Sequence, residues 1–242
     1  MHGQVAIVTG GIRGIGLGIA KRLAKEGCRV VIWDRVISPF DASQAGFLPA
    51  HLQAVDVSDV QSVRQAYETT RAKVGTVQIL VNNAGINGPV LPVMDYPEDQ
   101  WRRVLSVNLD GVFFCTKAVL ADMKAAGYGR IINVASAAGK EGVPGIAAYS
   151  ASKHGVVGFT KSLSRELAET GILVNCIAPV MTETDLLKEM TPEHIAASKA
   201  KIPMGRFLQI PEIAAMVAWI ASPECSFTTG FTFDLSGGRA NY

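Results

Sequence analysis

The 242-residue chain contains little charge, and its basic side chains form no cluster. Charged residues make up 18% of it, and the formal net charge is +2, with Lys and Arg scattered along the sequence. The basic patch that nucleic-acid binding requires is therefore missing. No uninterrupted apolar run approaches the roughly 18 residues of a membrane span. We expect neither a nucleic-acid partner nor a membrane partner.

Cysteine is also scarce, with four residues in the whole chain. Cys28, Cys115, Cys176 and Cys225 show no CxxC or other metal-ligand spacing, so we expect no metal site. Each lies in an apolar segment, which favours buried thiols over disulfides. The first predicted strand leaves no room for a signal peptide before it. These features predict a reducing, cytoplasmic setting.

Apolar residues are abundant at 48%, enough for a large core. Seven apolar runs read as strands and alternate with about six helical segments, without a linker or repeat. This pattern predicts a single Rossmann-type doubly wound domain over residues 1–242, with a seven-stranded parallel sheet flanked by helices on both faces. The polar segment Val180–Gly205 is predicted to be a substrate loop, with weak helices over Asp185–Met190 and Pro192–Lys201.

A glycine-rich turn, Thr9–Gly16, lies between the apolar strand Val5–Val8 and a helix that starts near Leu17. Free N–H groups at a helix N-terminus bind phosphate, and the glycines allow close approach of a pyrophosphate. The turn therefore predicts a dinucleotide site. Its expected cofactor contacts are Gly10, Arg13, Gly14, Ile15 and Gly16.

Asp34 ends the second predicted strand, 18 residues after Gly16. A carboxylate near this ~20-residue offset accepts hydrogen bonds from the adenosine ribose and repels a 2′-phosphate, which favours NAD over NADP. Arg13 and Arg35 oppose this interpretation, because either could pair with a 2′-phosphate. Asp34 could also be a surface residue that ends a strand. Since Asp34 occupies the phosphate position, we predict NAD.

Two further strand ends carry candidate cofactor contacts. After the third strand, Asp56 and Val57 could meet the adenine, or Ser58 and Asp59 could simply cap the next helix. The fourth strand runs into Asn82–Gly85, whose small residues let a cofactor lie against the backbone. Part of that motif is expected to be structural, because Asn side chains also join strands. The expected cofactor contacts here are Asn83, Ala84 and Gly85.

Three residues suit the interconversion of a carbonyl and an alcohol. Tyr149 and Lys153 are four apart on a predicted helix and share a face, so the ammonium is expected to lower the phenol pKa from about 10. Ser136 follows the fifth strand at the ligand-binding edge and could hold the substrate oxygen. Asn108 sits inside an otherwise apolar helix, where a buried amide needs partners.

Together, these motifs resemble the short-chain dehydrogenase/reductase family over essentially the whole chain. TGxxxGxG matches Thr9–Gly16, NNAG matches Asn82–Gly85 and YxxxK matches Tyr149–Lys153. The resemblance implies a homotetramer. It also implies a catalytic tetrad of Ser136, Tyr149, Lys153 and Asn108, with Lys153 on the nicotinamide ribose and Asn108 positioning a water.

One departure from the family pattern lies after the sixth strand. The resemblance places Pro179 and Thr184 near the nicotinamide, but the family glycine after the proline is replaced by Val180. Valine does not readily adopt positive φ, so the loop is expected to follow a different path.

The C-terminal third, Lys201–Phe207 and Cys225–Tyr242, resembles enzymes that oxidise 2-keto-3-deoxy-L-fuconate or -rhamnonate at C4 with NAD. The alternatives are a 3-oxoacyl-thioester reductase, another polyol or alcohol dehydrogenase, and an NAD-binding regulator without catalysis. Two arginines that grip a carrier protein in the thioester reductases are replaced by Gly127-Tyr128 and Thr170. The candidate substrate contacts, which could instead be solvated or interface charges, are Ser136, Tyr149, Lys140, Glu141, Glu183, Arg206 and Arg239.

Overall fold

The computed structural model describes residues 1–38, 40–183 and 192–240. The strands are β1 (Val5–Thr9), β2 (Arg29–Asp34), β3 (His51–Ala54), β4 (Ile79–Asn82), β5 (Gly129–Val134), β6 (Ile172–Pro179), β7 (Thr182–Glu183), β8 (Leu208–Gln209) and β9 (Thr232–Leu235). Seven of them form one sheet in the order β3-β2-β1-β4-β5-β6-β9, and every pair in it is parallel. Strands β7 and β8 form a separate two-stranded ribbon. The predicted fold class is confirmed.

Helices cover both faces of the main sheet. They are α1 (Gly14–Lys25), α2 (Ala42–Ala45), α3 (Val60–Val74), α4 (Glu98–Leu105), α5 (Gly111–Ala126), α6 (Ala147–Glu166), α7 (Pro192–Ala200) and α8 (Ile210–Ala221). A π turn, Ser106–Asp110, joins α4 to α5, and a 3-10 turn, Ala137–Gly139, follows β5. The predicted second loop helix is confirmed as α7, whereas Thr184 and the helix predicted over Asp185–Met190 lie outside the described residues.

The core is divided by the sheet into two layers. Every residue of β1 is buried, as expected for a parallel strand covered on both faces. Val5 and Ile7 join the layer that contains α3, α5 and α6 residues, while Ala6 and Val8 join the layer with α1 and α8. This alternation follows from the two-residue period of a strand. The apolar runs of the sequence are thus the central strands.

One stretch, Glu98–Ala126, is long and apolar enough to cross a membrane by length and composition alone, with a hydropathy of 1.5. The core helix of a globular domain can pass the same test. Cys115, Val119 and Met123 of this stretch are buried in the core layer against the sheet. We therefore interpret it as a core helix.

The sheet places its ligand-binding edge at the carboxyl ends of the strands. The chain order reverses between β1 and β4, and ligands of doubly wound sheets bind at such a switch point. The glycine turn follows β1, the Asn83–Gly85 segment follows β4, and Ser136 follows β5. Three stretches that are distant in sequence therefore meet at one edge.

Candidate active site

The glycine turn is held in place by the segment that follows β4. Asn83 Nδ2 donates to the carbonyl oxygens of Thr9, at 2.9 Å, and Gly10, at 3.0 Å. The N–H groups of Asn83 and Ala84 both donate to Thr9 Oγ1 at 3.0 Å. A Cβ at Gly16 would overlap the Gly10 oxygen and lie 2.5 Å from Asn83 Nδ2, so only glycine fits. Asn83 therefore has a structural role beside its predicted cofactor contact.

The first turn of α1 offers an anion site. No side chain in the described part of the molecule caps this turn, and Arg13 before it is extended, with φ −149°. Gly14 has φ +53°, and nothing described lies within 4 Å of where its Cβ would be. Open N–H groups and the helix dipole favour negative charge here. The geometry fits a dinucleotide pyrophosphate held by Gly10, Gly14 and Ile15.

Asp34 stands beside the glycine turn at the end of β2. Its Oδ2 accepts from the Ile12 N–H at 3.3 Å, and the residue is partly exposed. Arg13 and Arg35 are both exposed. The Asp34 carboxylate therefore lies next to the turn that would hold the pyrophosphate. The adenosine ribose, which is joined to the pyrophosphate, would come close to this carboxylate.

Asp56 lies just beyond β3 and is fixed by its neighbour. Its Oδ1 accepts from the Ser58 N–H, at 2.9 Å, and hydroxyl, at 2.6 Å. The hydroxyl bond is the main cause that lowers the pKa of Asp56. The helix-capping alternative holds for Asp59, which accepts from the Gln61 N–H at 2.9 Å. Val57 is buried, with 8% of its surface exposed.

Ser136, Tyr149 and Lys153 come together at the carboxyl end of β5. Ser136 Oγ accepts from the Ala138 N–H at 3.1 Å and is hydrogen-bonded to the Tyr149 side chain. Lys153 Nζ donates to the Val134 carbonyl at 2.7 Å and lies 5.6 Å from the centre of the Tyr149 ring. The arrangement puts a hydroxyl, a phenol and an ammonium around one position.

The pKa values in this cluster are set mainly by burial. Burial raises the pKa of Tyr149, and the hydrogen bond with Ser136 lowers it by less. Burial lowers the pKa of Lys153 to about 8. The expectation that Lys153 brings the Tyr149 pKa down is therefore wrong for this structure, because loss of water around the phenol outweighs its neighbours.

Asn108 lies fully buried in the π turn between α4 and α5. Its Oδ1 accepts from the Ile86 N–H at 2.8 Å, and its Nδ2 donates to the Ile86 carbonyl at 2.9 Å and to Ser152 Oγ at 3.0 Å. A Cβ at Gly85 would lie 3.2 Å from Asn108 Oδ1 and 3.5 Å from Lys153 Nζ, so Gly85 adjoins both. Both hydrogens of the Asn108 amide are already donated. The water that we expect Asn108 to position would therefore have to donate a hydrogen bond to an acceptor oxygen of this turn.

Three candidate substrate residues that follow Ser136 or β9 are engaged in ion pairs. Lys140 Nζ lies 2.9 Å from Asp234 Oδ2, and Arg239 Nη2 donates to Glu141 Oε2 at 3.1 Å. The two pairs connect the chain just after Ser136 to β9, through Asp234, and to the segment that follows β9, through Arg239. The structure thus places Asp234 and Arg239 beside the segment that follows Ser136, and the charges of Lys140, Glu141 and Arg239 are compensated there.

Arg206 is also paired. It makes a bidentate contact with Glu212, at 2.6 and 2.8 Å, which lowers the pKa of Glu212 to about 2. Arg206, Glu212 and Asp234 line a cavity of about 310 Å³ that also contacts Val180. Glu183, in β7, is exposed.

The loop after β6 begins with ordinary backbone geometry. Pro179 pairs with Leu235 in the sheet, and the Val180 N–H donates to the Leu235 carbonyl at 3.2 Å. No described residue other than glycine has positive φ, so Val180 does not adopt it. Val180 is buried against Ala137 and Ile202. Valine therefore continues the sheet direction and packs next to the Ser136 turn.

Sequence reasoning missed Ser152 and the pairing of Glu212. Ser152 lies inside the YxxxK motif, where a small hydroxyl before a buried lysine is only a faint signal. Glu212 is six residues from Arg206. This separation runs from the loop before β8 to the first turn of α8 and has no helical periodicity.

Comparison with known proteins agrees with this geometry. The short chain dehydrogenase family matches residues 4–195. A 2-dehydro-3-deoxy-L-rhamnonate dehydrogenase (NAD(+)) from Sphingomonas sp. strain SKA58 is 46% identical over 99% of this chain and 96% of its own. A 3-oxoacyl-[acyl-carrier-protein] reductase from Vibrio cholerae is 40% identical over 98% of each chain. The crystal structure of an NAD⁺-bound xylitol dehydrogenase, 32% identical, superposes with a TM-score of 0.91 over 98% of this chain and 99% of that one. The chain belongs to the short-chain dehydrogenase family.

Proposed function

We propose that this enzyme oxidises a secondary alcohol to a ketone with NAD, on a sugar-derived acid, with the C4 hydroxyl of a 2-keto-3-deoxy acid favoured. The observation that carries the reaction class is the convergence of Ser136, Tyr149 and Lys153 at the edge that holds the glycine turn. Asp34 beside that turn supports NAD over NADP. The Sphingomonas relative, named for such a substrate and for NAD, supports both choices.

The residues divide the reaction between them. Bound NAD⁺ would supply the acceptor for the hydride of the alcohol carbon, so the products would be a ketone, NADH and a proton. Tyr149 takes the hydroxyl proton, and Ser136 holds the same oxygen by a hydrogen bond. Lys153, whose Nζ lies 5.6 Å from the centre of the Tyr149 ring, would bind a hydroxyl of the nicotinamide ribose. Gly10, Gly14 and Ile15 would hold the pyrophosphate, and Pro179 would contact the nicotinamide.

The raised pKa of Tyr149 sets the pH dependence of the two directions. Oxidation needs the phenolate, so its rate should increase with pH across the neutral range. Reduction needs the neutral phenol, which is the dominant form at neutral pH. Initial rates of both directions between about pH 6 and about pH 10 would test this, and an oxidation rate that falls as pH rises would contradict it.

A carboxylate on the substrate requires a cation. We propose that Lys140, Arg206 and Arg239 supply the cations that bind this carboxylate. Glu141 and Glu183 would accept hydrogen bonds from the hydroxyls of the substrate. In the structure Arg206 and Arg239 each face a carboxylate, and so does Lys140. The carboxylate of a bound substrate would therefore replace one of these protein carboxylates as the partner of a cation.

The direct test is a substrate panel. Purified protein would be incubated with NAD and, in separate assays, 2-keto-3-deoxy sugar acids, polyols and 3-hydroxyacyl thioesters, with NADH absorbance as the measurement. We expect the highest kcat/KM for the sugar acids. Preference for the thioesters would overturn the substrate proposal and leave the reaction class intact. No NADH with any member of the panel would contradict the function as a whole.

One structural feature bears on the thioester alternative. Arg130, the arginine nearest the start of β5, is buried, and its Nη1 donates to the Gly129 carbonyl at 2.9 Å. Its guanidinium also stacks 4.5 Å from the Tyr128 ring centre. A side chain used this way is not available to an acidic carrier protein, which favours the small acid.

We also infer a homotetramer in the cytoplasm. Phe113 on α5 and Phe231 next to the edge strand β9 are exposed aromatic side chains, and open sheet edges and apolar patches mark interfaces. All four cysteines are free and buried, which suits a reducing compartment. Light scattering should give four times the 25.7 kDa chain mass, and a single chain mass would contradict the tetramer.

A further inference from the structure

Ser152 lies between two elements of the candidate active site, the helix α6 and the π turn Ser106–Asp110. It is fully buried on α6. Its hydroxyl donates to the Tyr149 carbonyl at 2.7 Å, and its oxygen accepts from Asn108 Nδ2 at 3.0 Å. A hydroxyl has one hydrogen, so donation to Tyr149 leaves only acceptor positions for Asn108. The direction of the bond between α6 and the π turn is therefore fixed.

This bond completes the hydrogen bonding of the Asn108 amide. The other two bonds go to the N–H and carbonyl of Ile86, in the segment that follows Gly85. An amide side chain has two donor hydrogens, and both are used here. Without the Ser152 oxygen, one of them would remain unpaired in a fully buried place, which is unfavourable. The π turn would then lose its hydrogen-bonded link to the helix that carries Tyr149 and Lys153.

We propose that Ser152 is a positioning residue: it fixes the orientation of the Asn108 amide and, through it, the placement of the π turn against Tyr149 and Lys153. The activity consequence rests on the proposed function, whereas the structural consequence does not. Ser152 itself touches neither substrate nor cofactor in this scheme.

Three variants of the full-length protein test the proposal. Ser152→Ala removes the acceptor, and Ser152→Thr keeps a hydroxyl at the same place. Ser150→Ala is the matched control, because Ser150 is also buried on α6 but its Oγ has no hydrogen-bond partner among the described residues. Hydrogen–deuterium exchange would be followed in peptides that cover Ile86 and the π turn Ser106–Asp110. Steady-state kinetics would use the substrate with the highest wild-type activity.

We expect Ser152→Ala to accelerate exchange in both peptides and to lower kcat about tenfold, a part of the roughly 10²–10⁴-fold that acid–base catalysis provides. The KM for NAD should stay within about twofold of wild type, since the glycine turn is held by other bonds. Ser152→Thr should restore both readouts, and Ser150→Ala should change neither.

Two results would overturn the proposal: exchange in Ser152→Ala as slow as in Ser150→Ala, or an equal loss of kcat in both variants. If the wild-type protein oxidises no member of the panel, the proposed function fails. The exchange comparison still tests Ser152 in that case, so the two failures can be told apart.

Discussion

The candidate site has two sides that are built from different interactions. We call the glycine turn and the segment after β4 the cofactor side, and the ion pairs between the chain after Ser136 and the chain from β9 onward the C-terminal side. On the cofactor side, neutral groups bind backbone: the Asn83 amide and the Thr9 hydroxyl hold the glycine turn. On the C-terminal side, charges bind charges. Lys140 pairs with Asp234, 94 residues away, and Arg239 binds Glu141, 98 residues away.

This difference has a functional consequence. Neutral bonds to backbone have no reason to change when a ligand arrives, so the cofactor side is preorganised. An ion pair can exchange one carboxylate for another, and partly exposed pairs contribute little to stability. The C-terminal side can therefore adapt to an anionic substrate at small cost. Four predictions test the contrast, beginning with the largest effect.

Tyr149→Phe should stop the reaction while leaving both sides intact. Loss of the proton acceptor should lower kcat by about 10²–10⁴-fold. Binding of NADH, measured by fluorescence, should remain near the wild-type value. Tyr128→Phe is the control, since the Tyr128 hydroxyl has no hydrogen-bond partner in the described part of the chain. Near-wild-type turnover in Tyr149→Phe would remove Tyr149 from the mechanism.

Asp34→Ala tests whether the negative charge of Asp34 makes the enzyme prefer NAD to NADP. We expect the ratio of kcat/KM for NAD over NADP to fall by about tenfold to a hundredfold, because juxtaposed like charges cost up to several kcal/mol. The substrate KM should not change, since Asp34 lies beside the glycine turn and not beside Ser136, Tyr149 and Lys153. Asp34→Asn, which keeps an acceptor without the charge, should give an intermediate ratio. An unchanged ratio in both variants would show that the carboxylate does not select the cofactor.

The cofactor side was the more predictable one from sequence, and for a physical reason. The glycine turn and the Tyr149–Lys153 pair depend on short spacings, which the backbone geometry of a strand–turn–helix or a single helix converts directly into position. Asn108 was predictable as a residue with buried hydrogen-bond partners, because it is an amide in an apolar helix. Its actual partners, Ile86 and Ser152, come from two other segments, which no local pattern indicates.

The C-terminal side was less predictable for the complementary reason. Lys140 and Arg239 were recognisable as candidate cations by residue type. Their pairing depends on how the end of the chain returns to the turn after β5, and that is a property of the whole sheet order. The pKa of Tyr149 was mispredicted because burial, unlike spacing, is set by everything packed around the residue.

Lys153 is a buried charge at the junction of the two sides, and its effect should appear in stability. Its native pKa of about 8 lies below the value of about 10.4 for an unfolded lysine. Below pH 8 it is charged in both states, and the full burial penalty applies. Between these pKa values the unfolded state binds more protons, so stability rises with pH by up to about 1.4 kcal/mol per unit from this group.

The measurement is urea unfolding of the wild type and Lys153→Met at several pH values through this window. Wild-type stability should rise relative to the variant as pH increases. Lys161→Met, an exposed lysine on the same helix, is the control and should follow the wild-type curve. Parallel curves for wild type and Lys153→Met would contradict the lowered pKa.

The smallest expected effect concerns Glu141 and Arg239 and decides what their ion pair does. If Arg239 receives the substrate carboxylate, Arg239→Met should raise the KM for the acid by about fivefold or less, because a partly exposed ion pair is worth roughly 1 kcal/mol at most. Glu141→Gln should lower that KM or leave it unchanged, since it releases Arg239 from its competitor. A pair that only braces the chain after Ser136 would give equal losses of kcat in both variants, with the KM unaffected. Opposite shifts in the KM of the two variants would show that Arg239 exchanges Glu141 for the substrate carboxylate. Equal losses in kcat would show instead that the C-terminal side is as fixed as the glycine turn.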